Sequence, residues 1–284
     1  SQDFEKLNIQ WFPGHMTKTK RLIEADLKMV DAVVEITDAR IPESSRNPIL
    51  DDLVKDKPRI ILMNKCDYAD ETATRAWKQY YEKKGIRVLT CDCRSGKGLN
   101  AFLPEVKRLL AELIERRKKR GMIGKALRLM VVGIPNVGKS SFINRMAKTK
   151  KTKVGDKPGV TRGKQWVSID KDVELLDMPG ILWPKFDDQL AAQRLAFTGA
   201  IKDDVMDTEA LARALGAVLK EQYPELLNAR YKLTGDEDIL RDIAKSRGML
   251  VSGGEPDTER AAAALLDEYR GGKIGRITLE KPGR

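Results

Sequence analysis

Gly133-Ile134-Pro135-Asn136-Val137-Gly138-Lys139-Ser140 combines two glycines, a lysine and a hydroxyl at the spacing that wraps a chain around phosphate groups. Glycines let successive backbone N–H groups turn inward on an anion. A helix opening at Ser140 adds the positive end of its dipole, so N–H groups of Asn136, Val137, Gly138, Lys139, Ser140 and Ser141 can converge on the phosphates. Lys139 reaches the β- and γ-phosphates as the main charge-stabilising group, and the Ser140 hydroxyl is a ligand for Mg2+. Downstream, Asp177-Met178-Pro179-Gly180 closes an apolar run; Asp177 can hold Mg2+ through water, and the Gly180 N–H can meet a γ-phosphate. Between them lies Pro158-Gly159-Val160-Thr161, where Thr161 either lends a second hydroxyl to Mg2+ or is a loop residue without a role.

The base is read elsewhere. Asn64-Lys65-Cys66-Asp67 follows the apolar run 59–63. Guanine presents N1–H and N2–H2 side by side, and one carboxylate, Asp67, can accept both; adenine would leave that carboxylate unpaired. The Lys65 stem can cover the base, and Asn64 can tie this loop to the phosphate loop. At the next strand end, Cys91-Asp92-Cys93-Arg94-Ser95-Gly96-Lys97-Gly98 offers backbone N–H groups of Asp92 and Cys93 to the base. Together these residues specify GTP or GDP as the ligand.

Such residues must be carried by strand ends. Short apolar runs at 32–36, 59–63, 87–91, 127–133, 166–169 and 173–176 alternate with amphipathic stretches such as 72–84 and 103–117. That alternation predicts βαβ units and a mostly parallel sheet, an α/β fold. After Trp183-Pro184 the texture changes to helices at 187–201, 208–221, 237–246 and 258–270, punctuated by Tyr223-Pro224, Gly235 and Gly253-Gly254. The boundary is placed there: 1–184 for the nucleotide-binding domain, 185–284 for a smaller all-α domain.

The chain has 284 residues, a formal net charge of +11 and a pI near 9.4. The excess of positive charge points to a polyanionic partner, or else to a solvated basic surface without one. The basic segments 116–128 and 148–164 suit phosphate contact better than a membrane surface, since they lack a large apolar face. The first eight residues mix both signs of charge without an apolar run, so no secretory leader is expected. Cys66, Cys91 and Cys93 make no disulfide framework, which suits a reducing, cytoplasmic setting. Cys91 and Cys93 read as packing residues on one strand face rather than half of a zinc site.

The order of these motifs, base first and phosphate loop second, resembles the circularly permuted GTPases. Trp11-Phe12-Pro13-Gly14-His15-Met16, Asp38-Ala39-Arg40 with Pro42, the phosphate loop, and Pro158-Gly159 with Thr161 and Gln165-Trp166 resemble the bacterial ribosome biogenesis GTPase A (YlqF) family along nearly the whole chain. The resemblance implies a GTPase of late large-subunit assembly, partnered by the large ribosomal subunit or its precursor and by rRNA through the C-terminal helices. A chain working alone as a monomer, away from membranes, is the expectation.

Ras-like enzymes orient the attacking water with a Gln after Asp-x-x-Gly. Here that position is Ile181, which can neither donate nor accept. His15, the only histidine, either positions that water or caps the following helix. In related GTPases an Asn at the place of Asn136 helps seat K+ near the β- and γ-phosphates, which implies K+-assisted turnover. Arg40 and Arg46 are other cations within reach, with Arg40 better suited to bracing the loop after the first strand. Unaided hydrolysis should run at about 10⁻⁴ to 10⁻³ s⁻¹, the scale of Ras-like enzymes awaiting a partner. The alternative is a nucleotide-gated RNA-binding protein in which hydrolysis is incidental.

Overall fold

All six apolar runs become strands of one sheet. In the computed structural model, which describes residues 16–54, 56–147, 165–180, 188–202 and 207–283, they are β1 (Ala32–Asp38), β2 (Arg59–Asn64), β3 (Arg87–Thr90), β4 (Leu127–Gly133), β5 (Trp166–Asp170) and β6 (Val173–Asp177). Their order is β3-β2-β1-β4-β6-β5. Every pairing is parallel except β5 with β6. All parallel strands therefore end on the same edge, where an open α/β sheet binds its ligand. The fold is a circularly permuted Ras-like domain followed by a helical part.

β1 is buried at all seven positions because helices cover both faces of the sheet. Val33, Met130 and Val132 meet Ile23 and Leu27 of α1 (Met16–Leu27) and Leu50 of α2 (Leu50–Leu53). On the opposite face, Val34, Ile36, Leu129 and Val131 join one apolar cluster with residues of α4 (Phe102–Leu109) and α6 (Lys139–Met146). There Phe102 and Phe142 meet edge to face at 5.1 Å, an arrangement contributing about 1 kcal/mol beyond area burial. Over β2 and β3, Trp77 and Tyr81 of α3 (Glu71–Lys83) cover Ile61, Met63 and Val88.

The stretch 103–117, expected as one helix, is two: α4 and α5 (Ala111–Lys119). The break falls at Leu110 (φ −103°, ψ 19°), which is buried, whereas α5 buries none of its residues. α5 still rests Leu113 and Ile114, half-buried, against the core, while most of its charged residues face outward.

The C-terminal helices are α7 (Gln189–Phe197), α8 (Thr208–Gln222), α9 (Pro224–Tyr231), α10 (Ile239–Ser246) and α11 (Thr258–Arg270). Asp188, Asp207, Asp238 and Asp257 cap α7, α8, α10 and α11 by accepting a first-turn N–H. α9 was expected only as punctuation at Tyr223-Pro224; proline instead occupies its first turn, where a missing N–H costs no bond. Leu211, Leu215, Leu265 and Leu266 belong to the same apolar cluster as the sheet face above α6. Among the described residues no helix is long and apolar enough to cross a membrane.

Asp242 anchors the loop before α10. Its carboxylate accepts the N–H groups of Thr234, Gly235 and Asp236 and the Thr234 hydroxyl, at 2.8–3.2 Å. Burial would raise its pKa, but these donors outweigh it and the net shift is downward. The stabilisation is present above the unfolded carboxylate value of about 3.9 and is lost as pH falls through the lower folded value. Asp242→Asn should cost about 2 kcal/mol at neutral pH and flatten the acid limb of the stability profile below pH of about 4. Denaturant melts of both proteins across that range measure this.

Candidate functional site

β4 delivers Gly133 to the sheet edge, and the chain turns through Asn136 (φ 66°) and Gly138 (φ +100°) into α6. No side chain caps α6, so its first N–H groups remain open to an anion. Lys139 forms an ion pair with Asp177 at the end of β6. Gly180 lies against the same loop: a Cβ built on it falls 3.6 Å from the Gly133 carbonyl oxygen. Ser140 and Asp177 thus both border Lys139, one in sequence and the other through its ion pair. A hydroxyl and a carboxylate are hard oxygen donors suited to Mg2+.

The base loop abuts this turn. Asn64 Nδ2 donates to the Val137 carbonyl at 2.6 Å, and Asn64 Oδ1 accepts the Cys93 N–H at 2.8 Å. Gly138 makes the approach possible, because a Cβ there would stand 2.1 Å from Asn64 Nδ2. Lys65 adopts the left-handed conformation (φ 61°) and stretches its ammonium to the Asn136 carbonyl, 2.6 Å away. Burial pushes the Lys65 pKa down, partly opposed by Asp38 at 3.9 Å. Asp67 follows in a 3₁₀ turn, Cys66–Tyr68, and its Oδ1 accepts from Lys97 Nζ at 2.9 Å. That bond holds the Asp67 carboxyl below its ordinary range, so it stays an acceptor at neutral pH.

Beyond β3 the geometry is more specific than the sequence suggested. Cys91 and Cys93 lie just past the strand, both buried, with sulfurs 3.8 Å apart. The Asp92 N–H is taken by the Lys97 carbonyl, and its side chain accepts from Arg94 N–H and the Ser95 hydroxyl. With the Cys93 N–H on Asn64, both backbone donors offered to a base are engaged within the protein and shape the loop.

Arg40 braces the loop after β1. It makes a two-pronged pair with Asp38 (Nε–Oδ1 3.0 Å, Nη2–Oδ2 2.8 Å) and donates to the carbonyls of Tyr269 and Arg270 in the helical part. Burial alone would raise the Asp38 pKa, but Arg40 and Lys65 hold it below its ordinary value. Arg46 is committed to Glu35 and Asp51 and is not free to serve the phosphates. Asn136 Nδ2 donates to the Gly199 carbonyl, a second contact with the helical part. His15, Thr161, Ile181 and the junction at 184–185 lie outside the described residues.

Removing the Asn64 amide leaves the Val137 carbonyl and Cys93 N–H without their partner. Asn64→Ala should weaken guanine nucleotide binding by about ten- to a hundredfold with the helical signal intact, as a fluorescent-nucleotide titration alongside circular dichroism would measure.

Known proteins resemble this chain along nearly its whole length. A family model described as a 50S ribosome-binding GTPase matches residues 128–228, from β4 through the phosphate loop into the helical part. Ribosome biogenesis GTPase A of Bacillus licheniformis is 48% identical over 281 residues, covering 96% of this chain and 98% of that protein. Its counterpart in Thermotoga maritima is 34% identical over 275 residues, covering 96% and 95%. Among solved structures, the GDP-bound structure of TM YlqF superposes with a TM-score of 0.70 at 29% identity, covering 93% of this chain and 100% of that one. The GNP-bound YlqF from T. maritima gives 0.65 at 29% identity, covering 94% and 99%. With such identity along nearly its whole length, the chain belongs to the ribosome biogenesis GTPase A family, and it is a GTPase.

Proposed function

We propose that this GTPase acts as a timed switch on the assembling large ribosomal subunit, hydrolysing GTP slowly alone and faster when bound to that particle. The observation that carries this reading is the contact of the helical part with the phosphate loop and with the loop after β1: Asn136 bonds the Gly199 carbonyl, and Arg40, whose partner Asp38 lies 3.9 Å from Lys65 of the base loop, bonds the carbonyls of Tyr269 and Arg270. A partner gripping those helices can then alter the phosphate and base loops together. The net charge of +11 suits rRNA as the partner; the excess comes from residues 1–184, while 185–284, read from the family resemblance as the contacting domain, hold 16 lysines and arginines against 18 aspartates and glutamates. The chain works as a monomer in the cytoplasm.

Within the site, Asp67 accepts guanine N1–H and N2–H2, Lys65 covers the base, and the loop 91–98 closes over it. The N–H groups from Asn136 to Ser141 cradle the phosphates, with Gly180 at the γ-phosphate. Lys139 leaves Asp177 for the β- and γ-phosphates when nucleotide enters. Ser140, Asp177 through water, and Thr161 would hold Mg2+, which neutralises charge on the phosphates. Asn136 Oδ1 would serve K+, which takes the place of an arginine finger. His15 holds the attacking water in place, since Ile181 cannot.

Single-turnover hydrolysis with and without saturating large-subunit precursors tests the switch. Acceleration of about a hundredfold or more, the lower range of partner-driven activation in GTPases, is expected in K+ and much less in Na+. An unchanged rate would leave a nucleotide-gated RNA binder as the better reading.

A further inference from the structure

The chain beyond α11 runs back across the base loop. Gly272 (φ +70°) packs against the Tyr68 ring; a Cβ there would come within 2.4 Å of it. Arg276 Nε donates to the Ala69 carbonyl at 2.8 Å and Nη2 to the Cys66 carbonyl at 3.0 Å. The Ile277 N–H donates to the Tyr68 carbonyl at 2.9 Å. Next, the Thr278 hydroxyl donates to the Ala39 carbonyl and accepts the Asp70 N–H, and the Leu279 N–H donates to the Arg40 carbonyl. The carbonyls of Cys66, Tyr68 and Ala69, on both sides of Asp67, are thus all bonded by this segment.

These bonds fall where the base loop is weakest by itself. A single 3₁₀ turn has poor hydrogen-bond geometry and little stability of its own. It follows Lys65, a non-glycine residue in left-handed backbone, which must be held by its surroundings. Asp67 itself is 37% exposed in its side chain, and its Oδ1 is held by the solvent-facing Lys97 and, more loosely, by the Cys66 thiol at 3.9 Å. Yet a carboxylate that reads two adjacent N–H groups needs placement to within about 0.5 Å.

We infer that the C-terminal segment 272–279 is part of the guanine-reading apparatus, with Arg276 a positioning residue that fixes Asp67 by holding the carbonyls on either side of it. The inference rests on the reading of Asp67 as the acceptor for guanine. It gives the helical part a direct hold on base selectivity: drawing the segment away loosens the base while leaving the phosphate loop's own N–H groups in place.

The test compares GDP with inosine diphosphate, which keeps N1–H and lacks the N2 amine, by calorimetric titration of the full chain with Mg2+. Arg276→Met keeps the apolar stem and removes both donors; Arg276→Lys keeps the charge and can reach only one carbonyl. The Arg276 side chain is 46% exposed, so neither change opens the core. For Arg276→Met, GDP affinity should fall about tenfold and inosine diphosphate affinity much less, narrowing the preference, with Arg276→Lys between it and the parent. An equal fall for both nucleotides, or no change in either, overturns the inference. Asp67→Asn separates the two layers: its amide should favour xanthine, whose C2 carbonyl replaces the amine. If Asp67→Asn still prefers guanine, the reading of Asp67 fails whatever Arg276 does. If it switches while Arg276→Met keeps full discrimination, only the role of Arg276 falls.

Discussion

The Asn64 amide stands where three strand ends meet. Its nitrogen holds the Val137 carbonyl, 73 residues away, and its oxygen holds the Cys93 N–H. The ends of β2 and β4 and the segment after β3 are thereby fixed to one another by a single side chain. The first bond requires that position 138 lack a Cβ, which would stand 2.1 Å from that nitrogen. Because the base motif precedes the phosphate loop by a full βα unit and more, no short connection keeps the two loops in register. The ladders that join β2 and β4 through β1 set the strand ends, and side-chain bonds across the sheet edge join the loops themselves: Asn64 to Val137, and Lys65 to the Asn136 carbonyl.

A second constraint follows from burying charge beside that edge. Asp38 and Arg40 are almost wholly buried, and an ion pair in such a place is tolerable only when its remaining donors and acceptors are matched. Arg40 meets that condition by taking the carbonyls of Tyr269 and Arg270 at the end of α11. Undocking the helical part would leave a guanidinium short of partners, so the two parts of the chain are coupled through an electrostatic requirement as well as through apolar packing. The same Asp38 lies 3.9 Å from the Lys65 ammonium, which carries that coupling to the base loop.

Much of this was legible before any coordinates. The phosphate loop and Asn64-Lys65-Cys66-Asp67 declare themselves because binding phosphate and guanine dictates residue types at fixed spacing. The central strands β1, β2 and β4 were readable because burial on both faces makes them nearly continuous apolar runs, and 127–133 matches β4 to the residue. Four helices of the C-terminal part, α7, α8, α10 and α11, follow aspartates that cap them, a local signal. What escaped depends on long-range partners. Leu110 interrupts a helix whose apolar periodicity continues through Leu113 and Ile114, so no local signal marks the break. The Asp92 and Cys93 N–H groups looked free in sequence and are taken by Lys97 and Asn64. Residues 271–280 carry no periodicity and no motif, so nothing local announced that Arg276 and Ile277 would bond the carbonyls around Asp67.

The central claim is that Asp67, held against the phosphate loop through Asn64, makes this a guanine site. Titrating the nucleotide-free chain with GDP and ADP in Mg2+ tests it most directly, because both ligands offer the same phosphates and differ in the base. GDP should bind at least about a thousandfold more tightly, since adenine leaves the carboxylate without its two donors. Equal affinity for ADP would mean that the phosphate loop alone supplies the binding, and would contradict the account.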